Sequence, residues 1–413
     1  MAGGVALLEI SGLTVQRGTR TVLEDFDLTI ESSECVLLVG ENGVGKSTLI
    51  ESIVGLLPIH SGGIEVRRPF GLTFQSGGMH GDELVSERLG FCAETAGVNG
   101  AKNLLSRWNL EHRREDRIGH LSGGMRRRLA VIQGLMPAYG EGERICLLDE
   151  PSEGLDEASV HTLIGDLAAL RARGHAFLIA SHDARLEACA SHILTLDGKK
   201  VEHTPVAEPS EPPVLASAEA NIPFNRWSAT LDRRTLRPAL SRGVPLIAAI
   251  LVLFALLGKQ IGALLLLPAF LAALAPHTSL HHVKEERSGD WWRAMGACLS
   301  APDAFSTLLI LAAPWLTATV FGVPNEGWIW LAMGLPFLGV LLASGAIHEL
   351  AERLPRENAQ YIPLLTLVLI WPLLIASDAL DHATPWQPLL LASGIGLVIS
   401  VATPLFHPRT GSD

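Results

Sequence analysis

The sequence is short of charge, and the charge it has is mostly negative. Charged residues make up 18% of the 413 residues and hydrophobic residues 48%, with a mean hydropathy of +0.30. Asp and Glu outnumber Lys and Arg by 43 to 32, which gives a net charge of −11. The first half has no basic stripe, and nucleic-acid binding needs clustered Lys and Arg. We therefore expect no nucleic-acid partner.

Cysteine is also scarce, and the five cysteines show no paired or metal-type spacing. Four of them lie in strand- or helix-like segments of the first half, where a small buried apolar residue is expected. The sequence therefore predicts no disulfide framework. The first residues lack the basic region of a secretory signal peptide, so we expect the N-terminal half to stay in the reducing cytoplasm.

What the chain does contain is a glycine-rich loop of the form G-x-x-x-x-G-K-[ST]. Its residues are Gly40, Glu41, Asn42, Gly43, Val44, Gly45, Lys46 and Ser47, with Thr48 next. An apolar run of buried-strand type precedes the loop and a helical pattern follows it. The glycines let backbone N–H groups face phosphate, Lys46 adds positive charge, and the Ser47 hydroxyl can bind Mg²⁺. A glycine-rich turn without nucleotide is the alternative that this pattern alone leaves open.

A second pattern follows at Ser122, Gly123 and Gly124, which open a helical run. Ser122 occupies the N-cap position, and the two glycines permit close approach of an anion to the helix N-terminus. An ordinary capped helix is the alternative for these residues by themselves.

Three apolar strand patterns deliver polar residues to their C-terminal ends. Asp149 and Glu150 follow the strand over 144–148, and they suit Mg²⁺ binding through water and activation of a nucleophilic water, respectively. His182 follows the strand over 176–180, and Gln75 ends the strand over 71–75, within reach of Mg²⁺ and the water. A lone His at a strand end is usually structural. The four elements together, in this order, indicate a nucleotide-hydrolysing site.

These motifs (GENGVGKS, Gln75, LSGGM, ICLLDEP, the turn over 153–156 and His182) resemble the nucleotide-binding domain of ABC transporters. The resemblance covers roughly the first 200 residues and implies an α/β P-loop ATPase domain that uses ATP and Mg²⁺. It implies that Glu150 is the catalytic carboxylate, Gln75 the sensing glutamine and His182 the γ-phosphate switch. The Mg²⁺ ligands implied are Ser47, Gln75 and Asp149.

The resemblance also implies a nucleotide held between two such domains, hence a homodimer. Lys46, Ser47 and Thr48 of one domain would then face Ser122 and Gly124 of the other. One position departs from the family pattern. Many members place an aromatic residue under the adenine, where this chain has Arg17. A guanidinium also stacks on a base, so Arg17 is the candidate for this contact.

Composition divides the chain into an ATPase domain over 1–203, a linker over 204–225, a membrane-surface helix over 226–242 and a permease domain over 243–407. The linker is rich in Pro, Ala and Glu and has no periodicity. The next segment carries five arginines among apolar residues, which predicts a helix lying on the cytoplasmic leaflet. A solvated basic linker is the alternative there.

The permease domain carries roughly six apolar runs of membrane-span length, which predicts an all-α transmembrane domain of about six helices. The resemblance to ABC transporters implies that this domain is of the ABC-2 exporter type. The runs are about 243–258, 260–276, 303–323, 327–347, 359–377 and 386–406. A tight re-entrant pair is the alternative for the first two. Lys and Arg concentrate in 277–302 and 348–358, which places both termini in the cytoplasm.

The amphipathic segment 283–293 is the predicted surface that docks on the ATPase. Five histidines near the predicted membrane boundaries could ligate haem iron, although interfacial polar residues are the plainer interpretation. They are His277, His281, His282, His348 and His382.

Stretches such as PLLTLVLIWPLLIASDALD resemble the membrane subunit of the cytochrome c maturation haem exporter, and the compact ATPase resembles its partner subunit. The resemblance implies a fused half-unit in the bacterial inner membrane. It implies haem as a substrate, or ATP-driven release of a haem-loaded chaperone, with further maturation subunits as partners. The alternative is a generic ABC-2 exporter of a drug, lipid or glycan.

Overall fold

The computed structural model describes residues 5–41, 43–196, 199–235 and 285–297. These residues divide between two compact units. The first holds the described residues up to Phe224 together with 285–297, and the second holds 225–235. The six predicted spans lie outside the described residues. Within the described ranges, no helix combines the length and apolar character needed to cross a bilayer.

The first unit is built on a sheet of six strands in the order β10-β9-β3-β8-β7-β5. They are β3 (Cys35–Val39), β5 (Gly71–Thr73), β7 (Ile145–Asp149), β8 (Ala176–Ala180), β9 (His192–Thr195) and β10 (Lys200–Glu202). All pair in parallel except β10, which runs antiparallel to β9. Every residue of β5, β7 and β8 is buried, because strands covered on both faces must be apolar throughout.

A second, antiparallel sheet has the order β2-β1-β4, with β1 (Ala6–Arg17), β2 (Arg20–Glu31) and β4 (Ser61–Val66). The sequence predicts two short strands over 21–23 and 26–30, but the structure joins them into β2. The pairing of β1 with β2 is interrupted by register shifts, and Asp25 has a φ of 48°. A polar residue in a left-handed bulge interrupts the apolar pattern without ending the strand.

Helices flank the six-stranded sheet. They are α1 (Lys46–Ile53), α2 (Val85–Ala96), α3 (Lys102–Arg107), α4 (Gly123–Leu135) and α5 (Glu157–Ala172). The predicted helical region over 82–117 contains α2 and α3, separated by the short strand β6 (Val98–Asn99). Gly97 ends α2 in the left-handed conformation, with a φ of 70°, and this ending starts β6.

The predicted linker is extended, as its composition indicates, but it is bonded to the ATPase domain along its length. Backbone N–H groups of Val206, Ser210 and Leu215 donate to carbonyls of the domain, and β11 (Ala216–Ser217) pairs with β6. Ser210 also donates to the fully buried Asp166 at 2.7 Å, beside the Arg107 guanidinium. The proline-rich composition predicts that the linker is not helical. It does not predict that the linker pairs with β6, because that contact depends on the tertiary fold.

The helix α6 (Phe224–Thr235) covers the described part of the predicted membrane-surface helix. Its Trp227 and Leu231 side chains are buried, whereas Arg226 and Arg233 are exposed. This is the two-faced pattern that the sequence predicts for the segment. Residues 236–242 lie outside the described residues.

The predicted docking segment contacts the ATPase residues of the first unit. It forms a turn over Glu285–Arg287 and the helix α7 (Ser288–Met295). Trp291 and Trp292 of α7 are buried, and the Trp291 indole N–H donates to the Leu72 carbonyl at 3.3 Å. The guanidinium carbon of the buried Arg88 lies 4.0 Å from the centroid of the Trp291 ring. Arg88 is thus both a cation–π partner for α7 and, through two bonds to the Gln133 Oε1, a tie to α4.

We expect the buried His175 to make the folded state less stable in acid. His175 precedes β8 and is 1% exposed. Burial, followed by the charges of Arg173 and Arg144, lowers the pKa of His175 from 6.5 to about 4. Between pH 6.5 and 4 the unfolded chain therefore binds a proton at His175 that the folded chain does not bind. The free energy of unfolding is highest above pH 6.5 and falls between pH 6.5 and 4. The loss should reach about 3 kcal/mol, at about 1.4 kcal/mol per pKa unit.

The measurement is the thermal midpoint of the full-length protein in detergent at pH 7.5 and pH 4.5. His175→Phe keeps a buried ring without a titratable group, so its midpoint should fall less on acidification than that of the wild type. His161→Phe, at an exposed histidine, is the matched control and should behave as the wild type. An equal acid-induced fall in all three proteins would contradict the role of His175.

Candidate functional site

The candidate site lies at one edge of the six-stranded sheet. The strands β3, β5, β7 and β8 are parallel, so their C-terminal ends meet at the same edge. The glycine-rich loop follows β3, Gln75 follows β5 by two residues, Glu150 follows β7, and His182 follows β8 by two. The sheet therefore brings together four motifs that are far apart in the sequence, at the position where open parallel sheets bind ligands.

The glycine-rich loop wraps around its own lysine. The Lys46 Nζ donates to the carbonyls of Gly40 at 2.7 Å and Glu41 at 3.2 Å. Gly45 has a φ of 125°, and a Cβ there would lie 2.6 Å from the Val22 Cγ1, so only glycine fits. No side chain caps the N-terminus of α1, whose N–H groups thus stay available for an anion. Asn42 lies outside the described residues.

Behind the loop, Thr48 is buried and its carbonyl accepts a bond from the Ser52 hydroxyl at 2.8 Å. Gly43 has a φ of 80°, and Val44 is exposed, with its N–H donating to the Glu41 carbonyl. Gly43, Val44 and Gly45 thus form a turn that leads directly into α1.

Glu150 and His182 contact each other directly. The His182 Nδ1 lies 3.0 Å from the Glu150 Oε1, and the Ser181 hydroxyl donates to the Glu150 Oε2 at 2.9 Å. The hydrogen bond and the negative charge of Glu150 raise the pKa of the exposed His182. Glu150 has a φ of 47°, a strained conformation for a non-glycine residue, and its N–H donates to the Ala180 carbonyl. Strain of this kind concentrates at functional sites, where the surroundings hold the residue in place.

Asp149 has the properties of a metal ligand. It is 4% exposed, and its Oδ1 is buried with no hydrogen-bond partner among the described residues. Burial raises the pKa of Asp149 to about 6, an effect that a hydrogen bond from Ser47 partly offsets. A buried carboxylate oxygen without a partner is costly unless a cation pairs with it. Asp149 and Ser47 therefore fit Mg²⁺, whose preferred ligands are oxygens.

The Gln75 side chain bonds to the turn that follows β7. Its Nε2 donates to the Glu153 Oε2 at 3.1 Å. Arg127 holds the same region, donating to the carbonyls of Phe74 at 3.1 Å and of Gln75, and to that of Glu153 at 3.2 Å. Sequence reasoning missed Arg127, although the run of three arginines after the glycines of α4 was the available signal.

Ser122 caps α4, as the sequence predicts, and its hydroxyl accepts from the Met125 N–H at 3.3 Å. Ser122 and Gly123 are exposed. A Cβ on Gly124 would lie 3.0 Å from the Gly154 carbonyl oxygen, so this glycine allows α4 to approach the turn after β7. The exposed N-terminus of α4 is open to a further partner.

Arg17 ends β1, and its guanidinium forms an ion pair with Glu51 of α1. The Arg17 side chain is half exposed, whereas that of Glu51 is 8% exposed. The sequence predicts base stacking for Arg17 but contains no signal for Glu51 as its partner.

Comparison with known proteins places these residues in context. Residues 23–153 match the ABC transporter family. The chain is 36% identical over 181 residues to the cytochrome c biogenesis ATP-binding export protein CcmA of Gluconobacter oxydans, covering 43% of this chain and 81% of that protein. It is 32% identical over 209 residues to CcmA of Cereibacter sphaeroides, covering 50% and 96%.

A third relative is the macrolide export ATP-binding/permease protein MacB of Pectobacterium atrosepticum, which is 32% identical over 255 residues. That match covers 54% of this chain and 38% of the relative. The two CcmA relatives are matched over most of their own length, and the family match over 23–153 includes the glycine-rich loop and the carboxylates. The chain therefore belongs to the ABC transporter family, and its α/β P-loop domain is an ABC ATPase that couples ATP hydrolysis to transport.

Proposed function

We propose that the chain is an ATP-driven ABC exporter half-unit for cytochrome c biogenesis. It supports either export of haem or ATP-driven release of a haem-loaded chaperone from its loading complex. The observation that carries this proposal is the match to CcmA over 81% and 96% of the two relatives' lengths. Residues 1–203 supply the ATPase, and the apolar runs from residue 243 onward supply the permease.

The proposed roles of the site residues follow from their positions. Glu150 accepts a proton from the attacking water, because its carboxylate ends β7 beside His182. His182 orients Glu150 and contacts the γ-phosphate. Lys46 leaves the loop carbonyls to which it now donates and pairs with phosphate, whose charge makes the stronger bond. Gln75 leaves Glu153 and turns to the metal site when Mg²⁺ is bound, so its position depends on whether the metal site is filled.

The proposed nucleotide-binding residues are those of the glycine-rich loop, with Thr48, Arg17 and Asp149, and Ser122, Gly123 and Gly124 from a second copy. When bound, Mg²⁺ supplies positive charge to the phosphates. Ser47 and Asp149 would hold it, with Gln75. These ligands provide hydroxyl, carboxylate and amide oxygens, in keeping with the unpaired Asp149 Oδ1 among the described residues.

The proposed domain organisation keeps the boundaries from the sequence: ATPase 1–203, linker 204–225, surface helix 226–242 and permease 243–407. The apolar runs and the positive-inside charge pattern support a multi-pass protein of the bacterial inner membrane, with both termini in the cytoplasm. Lipid and further cytochrome c maturation subunits are its proposed partners. No basic stripe supports nucleic acid as one.

The second candidate function is export of a drug, lipid or glycan by an ABC-2-type exporter. The similarity to MacB favours it, because that relative's name joins an ATP-binding part and a permease in one protein. The match covers 38% of MacB, so the greater part of that relative lies outside it.

The working unit that we propose is a homodimer with ATP sites shared across its interface. The uncapped N-terminus of α1 and the exposed, Ser-capped N-terminus of α4 both present N–H groups suited to phosphate. The chain carries one copy of each motif. Two copies, arranged head to tail, would complete two sites.

Glu150→Gln should lower kcat for ATP roughly a hundredfold or more while leaving ATP binding intact, because the amide cannot accept the water proton. Lys46→Ala should instead weaken ATP binding, since it removes the positive charge at the loop. Both are measured on purified full-length protein, as phosphate release and as equilibrium binding of a fluorescent ATP analogue. Full turnover by Glu150→Gln would show that another group is the base.

The shared-site homodimer predicts that two inactive variants complement each other. Lys46→Ala and Ser122→Arg, coexpressed in one membrane, place both lesions in one composite site and leave the other site intact, so ATPase activity should return. Lys46→Ala with Glu150→Gln is the matched control, because it damages both sites and should stay inactive. A fully active monomer in detergent would rule out the shared site.

Inverted membrane vesicles test the substrate class. With ATP, vesicles that contain the wild-type chain should accumulate haem or, when the maturation subunits and chaperone are present, release haem-loaded chaperone. Glu150→Gln vesicles should do neither. ATP-dependent accumulation of a macrolide, with no effect on haem or chaperone, would favour the second candidate function over the first.

A further inference from the structure

The Glu51 carboxylate is shared between two guanidinium groups. Glu51 lies on α1, the helix that begins at Lys46, and it is 6% exposed. Its Oε2 accepts from Arg17 at the end of β1, and its Oε1 accepts from Arg287 at 2.5 Å. A buried carboxylate must be paired, and this one joins the helix of the phosphate loop to the docking segment 285–297.

Arg287 is held by several groups at once. Its Nε donates to Asp290 at 2.7 Å, and its guanidinium carbon lies 4.7 Å from the centroid of the Phe74 ring. Its backbone has a φ of 62°, a conformation that a non-glycine residue keeps only where its surroundings hold it. Arg287 therefore occupies one defined position when the segment is docked.

Arg17 is the more exposed of the two arginines that bond to Glu51. Its side chain is half exposed, and Glu51 is the acceptor of its guanidinium in the described part of the chain. Glu51 stays paired with Arg287 when the half-exposed Arg17 leaves, so Arg17 can exchange Glu51 for another contact without stranding a buried charge.

We propose that Glu51 is a positioning residue through which nucleotide binding and docking of the segment 285–297 are coupled. The proposal rests on the base contact that we assign to Arg17. While Arg17 holds Oε2, the carboxylate is divided between two cations. When Arg17 turns to the base, the carboxylate pairs with Arg287 alone and the docked segment is held more firmly. Because coupling between two binding events is reciprocal, firm docking also releases Arg17 for the base.

The test is the KM for ATP and kcat of the full-length protein in membranes. Glu51→Gln should lower KM by about two- to fivefold, because Arg17 is released. Arg287→Gln should raise KM by a similar factor, because Arg17 then holds the carboxylate alone. The matched control is Arg113→Gln, which removes an exposed 2.9 Å ion pair with Asp116 that involves neither Glu51 nor residues 285–297, and it should leave KM unchanged.

A purely structural role for Glu51 predicts KM changes of the same sign for Glu51→Gln and Arg287→Gln, and that result would overturn the proposal. The same measurements in an Arg17→Gln background should show neither shift, and shifts that persist there would also overturn it. If Arg17→Gln alone leaves the KM for ATP unchanged, the base contact itself is wrong and the inference falls with it. Absence of ATP turnover in the wild type would instead refute the proposed function.

Discussion

The parallel pairing of β3, β8, β7 and β5 is the constraint on which the site depends. Parallel strands have their C-terminal ends at one edge of the sheet. This edge brings together the loop after β3, the carboxylates at the end of β7 and the histidine after β8, although they are far apart in the sequence. Complete burial of β5, β7 and β8 holds their ends in register, since a shift would expose apolar side chains or leave backbone groups unpaired. The strained Glu150 follows from this arrangement, because its position is set by β7 and its neighbour β8.

Charge buried at the edges of the sheet ties the remaining parts of the unit to the site. Arg88 pairs with Gln133 of α4 and lies under Trp291, while Arg127 holds the backbone around Gln75. The Asp166 carboxylate accepts hydrogen bonds from the side chains of Arg107, Tyr139 and the linker residue Ser210. In each case one buried polar group satisfies partners from two or three segments, because burial without such partners would be costly. The docking segment and the linker are thus bound to the ATPase by specific polar contacts as well as by apolar packing.

Much of the site could be predicted from the sequence, because each motif is local. The described residues of the glycine-rich loop, the cap at Ser122, and the strands that precede Glu150 and His182 lie where their patterns place them. The predicted docking segment also contacts the ATPase. The hydrogen-bond partners of the site residues could not be predicted from the sequence. Glu153 as the acceptor for Gln75, and Glu51 as the acceptor for both Arg17 and Arg287, join positions up to 236 residues apart.

The sequence by itself determined the type and order of the elements, because periodicity, glycine placement and capping act within a few residues. It also determined which residues form the glycine-rich loop and which carboxylates stand at the end of β7. Only the tertiary structure decided that β2 continues through Asp25, that the proline-rich linker pairs with β6, and that one buried glutamate serves two arginines. The physical reason is that a buried polar group needs a partner that is close in space. When that partner is far away along the chain, no local sequence pattern predicts the pair.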